Sequence, residues 1–150
     1  MEINQPSLCL AHVDVVGMLR AHGISPTQQR VEIAQILFAK PQHLCAEEVL
    51  GLVNQQQPVV SKATIYNTLN LFAEQGLIRE VIVDPSKIFY DSNTLNHHHF
   101  YNVDTGMLTD IDSDCVAIGE LPSAPEGTVA AGVEVIIRVR NSNNSAQAVI

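Results

Sequence analysis

The sequence predicts an α+β protein in which a winged helix-turn-helix domain is followed by a smaller region rich in β-strands. Three observations lead to this prediction. Amphipathic helical segments fill the first half of the chain, a β-hairpin pattern follows them, and alternating segments occupy the second half. The 150 residues suffice for one compact domain or for two small domains that share an interface.

The first three helices are predicted from apolar spacing and end signals. Helix one is expected over residues 14–22. Ser25 followed by Pro26 predicts the N-cap and first residue of helix two, which we expect to end before Pro41. Helix three is expected at about residues 46–56.

The fourth helical segment, SKATIYNTLNLFAEQG, has two different faces. Ser61 is predicted to cap it and Gly76 to end it. Its apolar stripe consists of Ile65, Leu69 and Phe72. The opposite face carries side chains suited to base edges and phosphates: Lys62, Tyr66, Asn67 and Asn70. Taken alone, the segment fits a solvated amphipathic helix equally well.

The segments after this helix favour strands. LIREVIV and KIFYD alternate on either side of Asp84-Pro85-Ser86, which predicts a hairpin. Helices followed by such a hairpin are typical of a winged helix-turn-helix, with helix four as the reading helix and the hairpin as the wing. HHHFYNV, GMLTDID and VEVIIRVR are predicted to be further strands, and the polar residues 141–150 are expected to be disordered.

The net charge of −8 argues against nonspecific attraction to nucleic acid. Its distribution is uneven, however. Residues 1–83 hold five basic and seven acidic side chains, whereas residues 84–150 hold three and nine. Any DNA-binding surface is therefore expected in the first half.

Several classes of protein are excluded by absent patterns. No uninterrupted apolar run reaches the ~18 residues of a membrane span, and the N-terminal segment lacks a basic region, so we expect a cytoplasmic protein without a secretory signal. Cys9, Cys45 and Cys115 form no CxxC pair and are expected to be reduced thiols. GxSxG, P-loop and dinucleotide motifs are missing, so we expect no catalytic residues and no enzyme.

The three consecutive histidines His97, His98 and His99 are the strongest chemical signal. Side chains alternate along a strand, so His97 and His99 would share a face and could chelate one ion, while His98 points the other way. A polar exposed strand is the alternative interpretation.

Three further residues are candidate ligands: Asp91, Asp110 and His43. Imidazoles and carboxylates without a thiolate suit ferrous iron, manganese, zinc or cobalt. Such a site would join the two halves of the chain. Taken singly, each aspartate could be a surface carboxylate and His43 an ordinary residue before a helix.

The segments HLCAEEVL, SKATIYNTLNLFAEQGLI and FYDSNTLNHHHFYNVDTG resemble the ferric uptake regulator family over about residues 14–140. The resemblance implies a winged-helix DNA-binding domain (1–84), a small α/β dimerisation domain (91–140) and a homodimer. It also implies that the family's regulatory metal ligands fall on His43, Asp91, His97, His99 and Asp110.

The sequence departs from the family pattern at two sites. Many members hold a structural zinc with a CxxC pair after the histidines, but here those positions are Asn102 and Thr105. We therefore expect no structural CxxC zinc. A second histidine–carboxylate site also looks broken, because no histidine follows His99.

Three features are similar to the iron response regulator (Irr) subgroup: ATIYNTLNLF in helix four, HHH before FY, and LPSAPEG ahead of VEVIIRVR. That similarity implies haem binding through His97, His98 and His99 and repression under iron shortage. Some members carry an N-terminal Cys-Pro haem motif, whereas here Cys9 precedes Leu10.

The resemblance implies a regulator of iron and haem homeostasis that binds an AT-rich palindromic operator in double-stranded DNA. Tyr66 and Asn67 would lie near bases, Lys62 and Arg30 near phosphates, and Thr64 on the same surface. One alternative is a metal-activated repressor, of the ferric-uptake or peroxide-sensor type, that responds to ferrous iron or manganese. Another is a haem or metal carrier that does not bind DNA.

Overall fold

The computed structural model describes residues 14–55 and 60–143. They form two compact units, one ending at Thr94 and the other beginning at Leu95. Among these residues, no helix has the length and apolar character needed to cross a membrane. Cys9 and most of the predicted tail, residues 144–150, lie outside the described residues. The division into a DNA-binding domain (1–84) and a dimerisation domain (91–140) stays a prediction.

The first unit contains the four predicted helices. They are α1 (Val15–Ala21), α2 (Gln28–Phe38), α3 (Ala46–Val53) and α4 (Lys62–Glu74). Helix α3 ends before the predicted residue 56. The side chain of Asn54 explains this end, because its Nδ2 donates to the Val60 carbonyl at 2.9 Å and its Oδ1 accepts the Val60 N–H at 3.2 Å. The chain thus turns away directly after α3.

The start of α2 differs from the prediction. Thr27, not Ser25, is the N-cap: its hydroxyl accepts the backbone N–H of Arg30 at 3.3 Å. Ser25 instead offers its carbonyl oxygen to Nη1 of Arg30 at 3.0 Å. The predicted cap was wrong because Thr27 places its hydroxyl opposite the third residue of the helix, where an orphan N–H needs a partner.

Helix α4 is held by the apolar stripe that its sequence predicts. Ile65, Leu69 and Phe72 are fully buried, and Gly76 ends the helix region with a positive φ of 75°. Burying each large apolar side chain contributes about 1.5–3 kcal/mol. The other fully buried apolar side chains of this core include Leu19, Ile33, Leu37 and Val49. This packing fixes the orientation of the polar face of α4.

The sheet of the first unit contains the predicted hairpin and one unpredicted strand. Its strands are β1 (His43–Cys45), β2 (Arg79–Asp84) and β3 (Lys87–Asp91), in the order β1-β3-β2. Both pairings are antiparallel, and His43 lies opposite Asp91 in the register. Strand β1 has only three residues, so it shows no alternation in the sequence. It leads directly into α3 and joins that helix to the wing.

The second unit is built on a three-stranded sheet. Its strands are β4 (His97–Asn102), β5 (Leu108–Asp112) and β6 (Ile136–Val139), in the order β5-β4-β6. The three predicted strands are confirmed: β4 pairs with β5 in antiparallel and with β6 in parallel. Between the described residues 95 and 143 the only helix is a 3-10 turn, Ser113–Cys115.

The connections in this unit are irregular. Residues 116–135, between the 3-10 turn and β6, form neither helix nor strand. Asn141, inside the predicted tail, donates its N–H to Asp104 Oδ2 at 2.9 Å, and its own Oδ1 accepts from Asn102 at 2.8 Å. The chain thus stays bound to the β4–β5 turn just beyond β6.

Candidate functional site

Strand pairing in the first unit brings together two of the candidate metal ligands, a histidine and a carboxylate, which we call the first ligand pair. His43 on β1 and Asp91 at the end of β3 are register partners, and His43 Nε2 lies 3.2 Å from Asp91 Oδ2. Asp91 is 2% exposed, and its Oδ1 accepts the backbone N–H of Asn93 at 2.8 Å. Each carboxylate oxygen of Asp91 therefore has a defined partner.

The second unit brings together three further candidate ligands, His97, His99 and Asp110, which we call the second ligand group. Asp110 Oδ1 lies 3.3 Å from His97 Nε2 and 3.2 Å from His99 Nε2. The two imidazole rings have centroids 4.5 Å apart. His97 and His99 are almost completely buried, whereas Asp110 is half exposed. Both Nε2 atoms thus converge on one carboxylate oxygen.

His98 has a different role from its two neighbours. It is buried, and its Nδ1 accepts the backbone N–H of Val135 at 2.9 Å. The predicted alternation along β4 is thus confirmed, with His97 and His99 at Asp110 and His98 bound to the segment before β6.

The second ligand group presents a surplus of lone pairs. His97 Nδ1 lies 2.6 Å from the Leu95 carbonyl oxygen, and His99 Nδ1 lies 3.0 Å from Glu134 Oε1. Both partners only accept hydrogen bonds, so Nδ1 carries the proton in each ring. In neutral rings, both Nε2 lone pairs then face the lone pairs of Asp110 Oδ1. The lone pairs of the two nitrogens and of the carboxylate oxygen repel each other unless a cation or additional protons lie between the three atoms.

The donor types and spacings fit a divalent metal ion. The first ligand pair and the second ligand group supply imidazole nitrogen and carboxylate oxygen, which suit iron, manganese, zinc or cobalt. Two ligands at metal distances of about 2.1 Å lie about 3.0–3.4 Å apart at tetrahedral or octahedral angles. The nitrogen–oxygen distances of 3.2–3.3 Å within each unit fall in this range.

The thiol nearest in sequence to the first ligand pair belongs to Cys45, the N-cap of α3. Its Sγ donates to Glu48 Oε1 at 3.0 Å. Burial, together with this bond, raises the pKa of the Cys45 thiol above its ordinary value. Cys45 therefore remains a protonated thiol that caps a helix.

Glu134 was missed by the sequence analysis. Its carboxylate accepts from Nδ1 of His99, 35 positions away in the chain. The available signal was a single acidic residue within the apolar segment VEVIIRVR, which was itself predicted to be a strand.

The polar face of α4 lies between two open clefts. The first, of about 380 Å³, separates α4 from the start of α2 and is lined by three of the predicted DNA-binding residues, Arg30, Thr64 and Asn67. The second, of about 430 Å³, lies beside the tip of the wing and is lined by Tyr66 together with Lys87. Lys62 is exposed, and its Nζ lies 5.8 Å from the centre of the Tyr66 ring.

Tyr66 is oriented by a residue that the sequence analysis did not single out. Its hydroxyl donates to Glu47 Oε1 at 2.6 Å. This bond lowers the pKa of Glu47 and raises the pKa of Tyr66. The Tyr66 side chain is thus held at its hydroxyl by Glu47 of α3.

Comparisons with known sequences place the chain near bacterial repressors. It is 34% identical over 95 residues to the peroxide-responsive repressor PerR of Staphylococcus aureus, covering 63% of this chain and 64% of the repressor. It is 33% identical to the PerR of Staphylococcus epidermidis, covering 63% of each. The matched region thus spans less than two thirds of the length of these repressors.

Solved structures show the same fold. The ferric uptake regulator of Pseudomonas aeruginosa with manganese superimposes with a TM-score of 0.63 at 23% identity, covering 85% of this chain and 97% of that one. The ferric uptake regulator of Francisella tularensis with iron gives a TM-score of 0.65 at 23% identity, covering 79% and 92%. The predicted fold class is confirmed. The sequence profile described as the ferric uptake regulator family matches residues 21–127, more than half of the chain, and the protein belongs to that family.

Proposed function

We propose that the protein is a metal-responsive, DNA-binding transcription regulator. In this proposal one divalent ion is bound jointly by the first ligand pair and the second ligand group. The observation that carries the proposal is the convergence of His97 Nε2 and His99 Nε2 on Asp110 Oδ1 at 3.2–3.3 Å. A divalent cation removes the repulsion between these lone pairs. The manganese and iron named for the two ferric uptake regulators agree with this donor set.

The ion would act on DNA binding through the wing. The first ligand pair lies on β1 and β3, and β1 leads into α3 while β3 belongs to the hairpin. An ion that also takes the second ligand group would restrict the movement of the wing. Metal binding raises DNA affinity only to the extent that the ion prefers the arrangement that binds DNA.

The DNA-binding surface in this proposal is the polar face of α4. Tyr66 and Asn67 would contact base edges, with Thr64 beside them, while Lys62 and Arg30 would contact phosphates. A homodimer would place two such helices in successive major grooves of an AT-rich palindromic operator. Support comes from the exposure of Lys62 and Asn67 and from the cleft that joins Arg30, Thr64 and Asn67.

A second candidate function, haem sensing of the Irr type, is favoured by the run of His97, His98 and His99. Haem iron would take an imidazole from this run. The three rings are buried and bound to Asp110, Val135 and Glu134, so haem would have to break one of these contacts. Haem binding would therefore loosen the second ligand group and lower DNA affinity, which is the opposite sign to metal activation.

One experiment separates these functions. Purified protein selects sites from a random double-stranded library with Mn²⁺ present, and affinity for the selected site is then measured with Mn²⁺, Fe²⁺, haem or EDTA. We expect Mn²⁺ or Fe²⁺ to strengthen binding and EDTA to weaken it. Release by haem, with no effect of either metal, would favour the haem sensor. Failure to select any site would contradict both and leave a carrier.

A further inference from the structure

His99 has a carboxylate at each nitrogen of its imidazole ring. Its Nε2 lies 3.2 Å from Asp110 Oδ1, and its Nδ1 lies 3.0 Å from Glu134 Oε1. The ring itself is completely buried, while Glu134 is 24% exposed. The side of the ring away from Asp110 is thus bound by a charged group that no predicted function uses.

We propose that Glu134 is a positioning residue for the metal site and acts through His99. This inference rests on the proposed metal-responsive function. A carboxylate can only accept a hydrogen bond, so Glu134 holds the His99 proton on Nδ1 and leaves the Nε2 lone pair available to the ion. A carboxylate behind a metal-binding histidine fixes the orientation of the ring and increases the basicity of the coordinating nitrogen.

His97, the other histidine of the second ligand group, shows the same arrangement with a weaker acceptor. His97 also presents Nε2 to Asp110, and its Nδ1 lies 2.6 Å from the carbonyl oxygen of Leu95. Both histidines of the second ligand group therefore have an acceptor behind Nδ1. Only His99 has a charged one, and hydrogen bonds to a charged acceptor are about twice as strong as neutral ones.

The backbone around β6 fixes the position of Glu134. The next residue, Val135, accepts the backbone N–H of His99 at 3.1 Å and donates its own N–H to His98 Nδ1 at 2.9 Å. Ile136 then pairs with His99 in the parallel register. The backbone at Glu134 is thus fixed beside His99 by three neighbouring contacts, so the carboxylate can reach the ring without further ordering of the backbone.

The test compares Glu134→Gln with Glu126→Gln, which removes the same charge from an exposed residue of the 116–135 connection. In metal-free protein, side-chain nitrogen NMR of His99 reports which ring nitrogen carries the proton. Mn²⁺ and Zn²⁺ affinities are measured by competition with a chelating dye. We expect Glu134→Gln to mix the two His99 tautomers and to weaken metal binding about 10–100-fold. Glu126→Gln should change neither quantity.

Three outcomes would overturn the inference. If Glu134→Gln lowers thermal stability but leaves the His99 tautomer intact, Glu134 is structural only. If the tautomers mix while both metal affinities stay at the wild-type value, the carboxylate does not support coordination. If the wild-type protein itself binds neither Mn²⁺ nor Zn²⁺, the proposed metal function fails together with this inference, which separates that failure from the other two.

Discussion

Lys62 offers a quantitative test of the DNA-binding surface. Our proposal gives each protomer two phosphate-binding cations, Arg30 and Lys62, so a homodimer makes four such contacts. Each neutralised phosphate contributes about −0.9 to the slope of log affinity against log salt, which gives about −3.6 for the dimer. Lys62→Gln removes two contacts and should reduce the slope to about −1.8.

The difference is large enough to measure directly. Between about 50 and 200 mM salt, the wild type should lose about 150-fold in affinity and the variant only about 12-fold. Fluorescence anisotropy with the selected operator and with a scrambled duplex supplies both slopes. Lys40→Gln is the matched control, because Lys40 is also exposed but follows the end of α2. Since phosphate contacts do not read sequence, Lys62→Gln should weaken both duplexes alike. A variant slope equal to that of the wild type would refute the assignment of Lys62.

Three further outcomes are expected. Tyr66→Ala should lower operator affinity by roughly 1–3 kcal/mol while leaving scrambled DNA unaffected; equal losses on both duplexes would show that Tyr66 does not read bases. Burial, with a smaller contribution from Glu80, raises the pKa of Tyr90 to about 12. Because the folded pKa exceeds the ordinary value of about 10, this stabilisation is complete below pH ~10 and is lost as the pH rises towards 12. The free energy of unfolding from urea titrations should therefore fall less steeply with alkaline pH in Tyr90→Phe than in the wild type, and identical slopes would contradict the shift. Strong chelation should leave the circular dichroism spectrum and the oligomeric state unchanged, since we expect no structural CxxC zinc; loss of the fold would show that a structural metal exists.

The elements predictable from sequence were those with a repeating pattern. The stripe Ile65, Leu69 and Phe72 has helical spacing over more than two turns, and the wing has two alternating segments around a strong turn. The choice between Ser25 and Thr27 as N-cap has no such pattern. Both carry hydroxyls, and only the backbone geometry decides which one faces an orphan N–H.

The candidate ligands could be selected from the sequence because their chemistry is unusual there, whereas the residues that contact them could not. His97 and His99 stand out as alternate members of a histidine run. Glu134 reaches His99 only because β6 pairs with β4 in parallel across a long connection. Glu47 reaches Tyr66 only because α3 packs beside α4. Neither of these two long-range contacts produces a local periodic pattern in the sequence.

The short connection between the two units has a consequence for the metal response that we propose. Strand β3 ends at Asp91, β4 begins at His97, and the boundary between the units lies at Thr94 and Leu95. Six peptide steps span at most about 22 Å when fully extended. If one ion binds both sets of residues, as we propose, an ion held by the second ligand group would meet the first ligand pair at an effective concentration of about millimolar order, which the tether sets and dilution of the protein does not change. Cutting the chain within residues 92–96 would abolish this advantage while leaving every ligand in place, and the metal response would then depend on protein concentration.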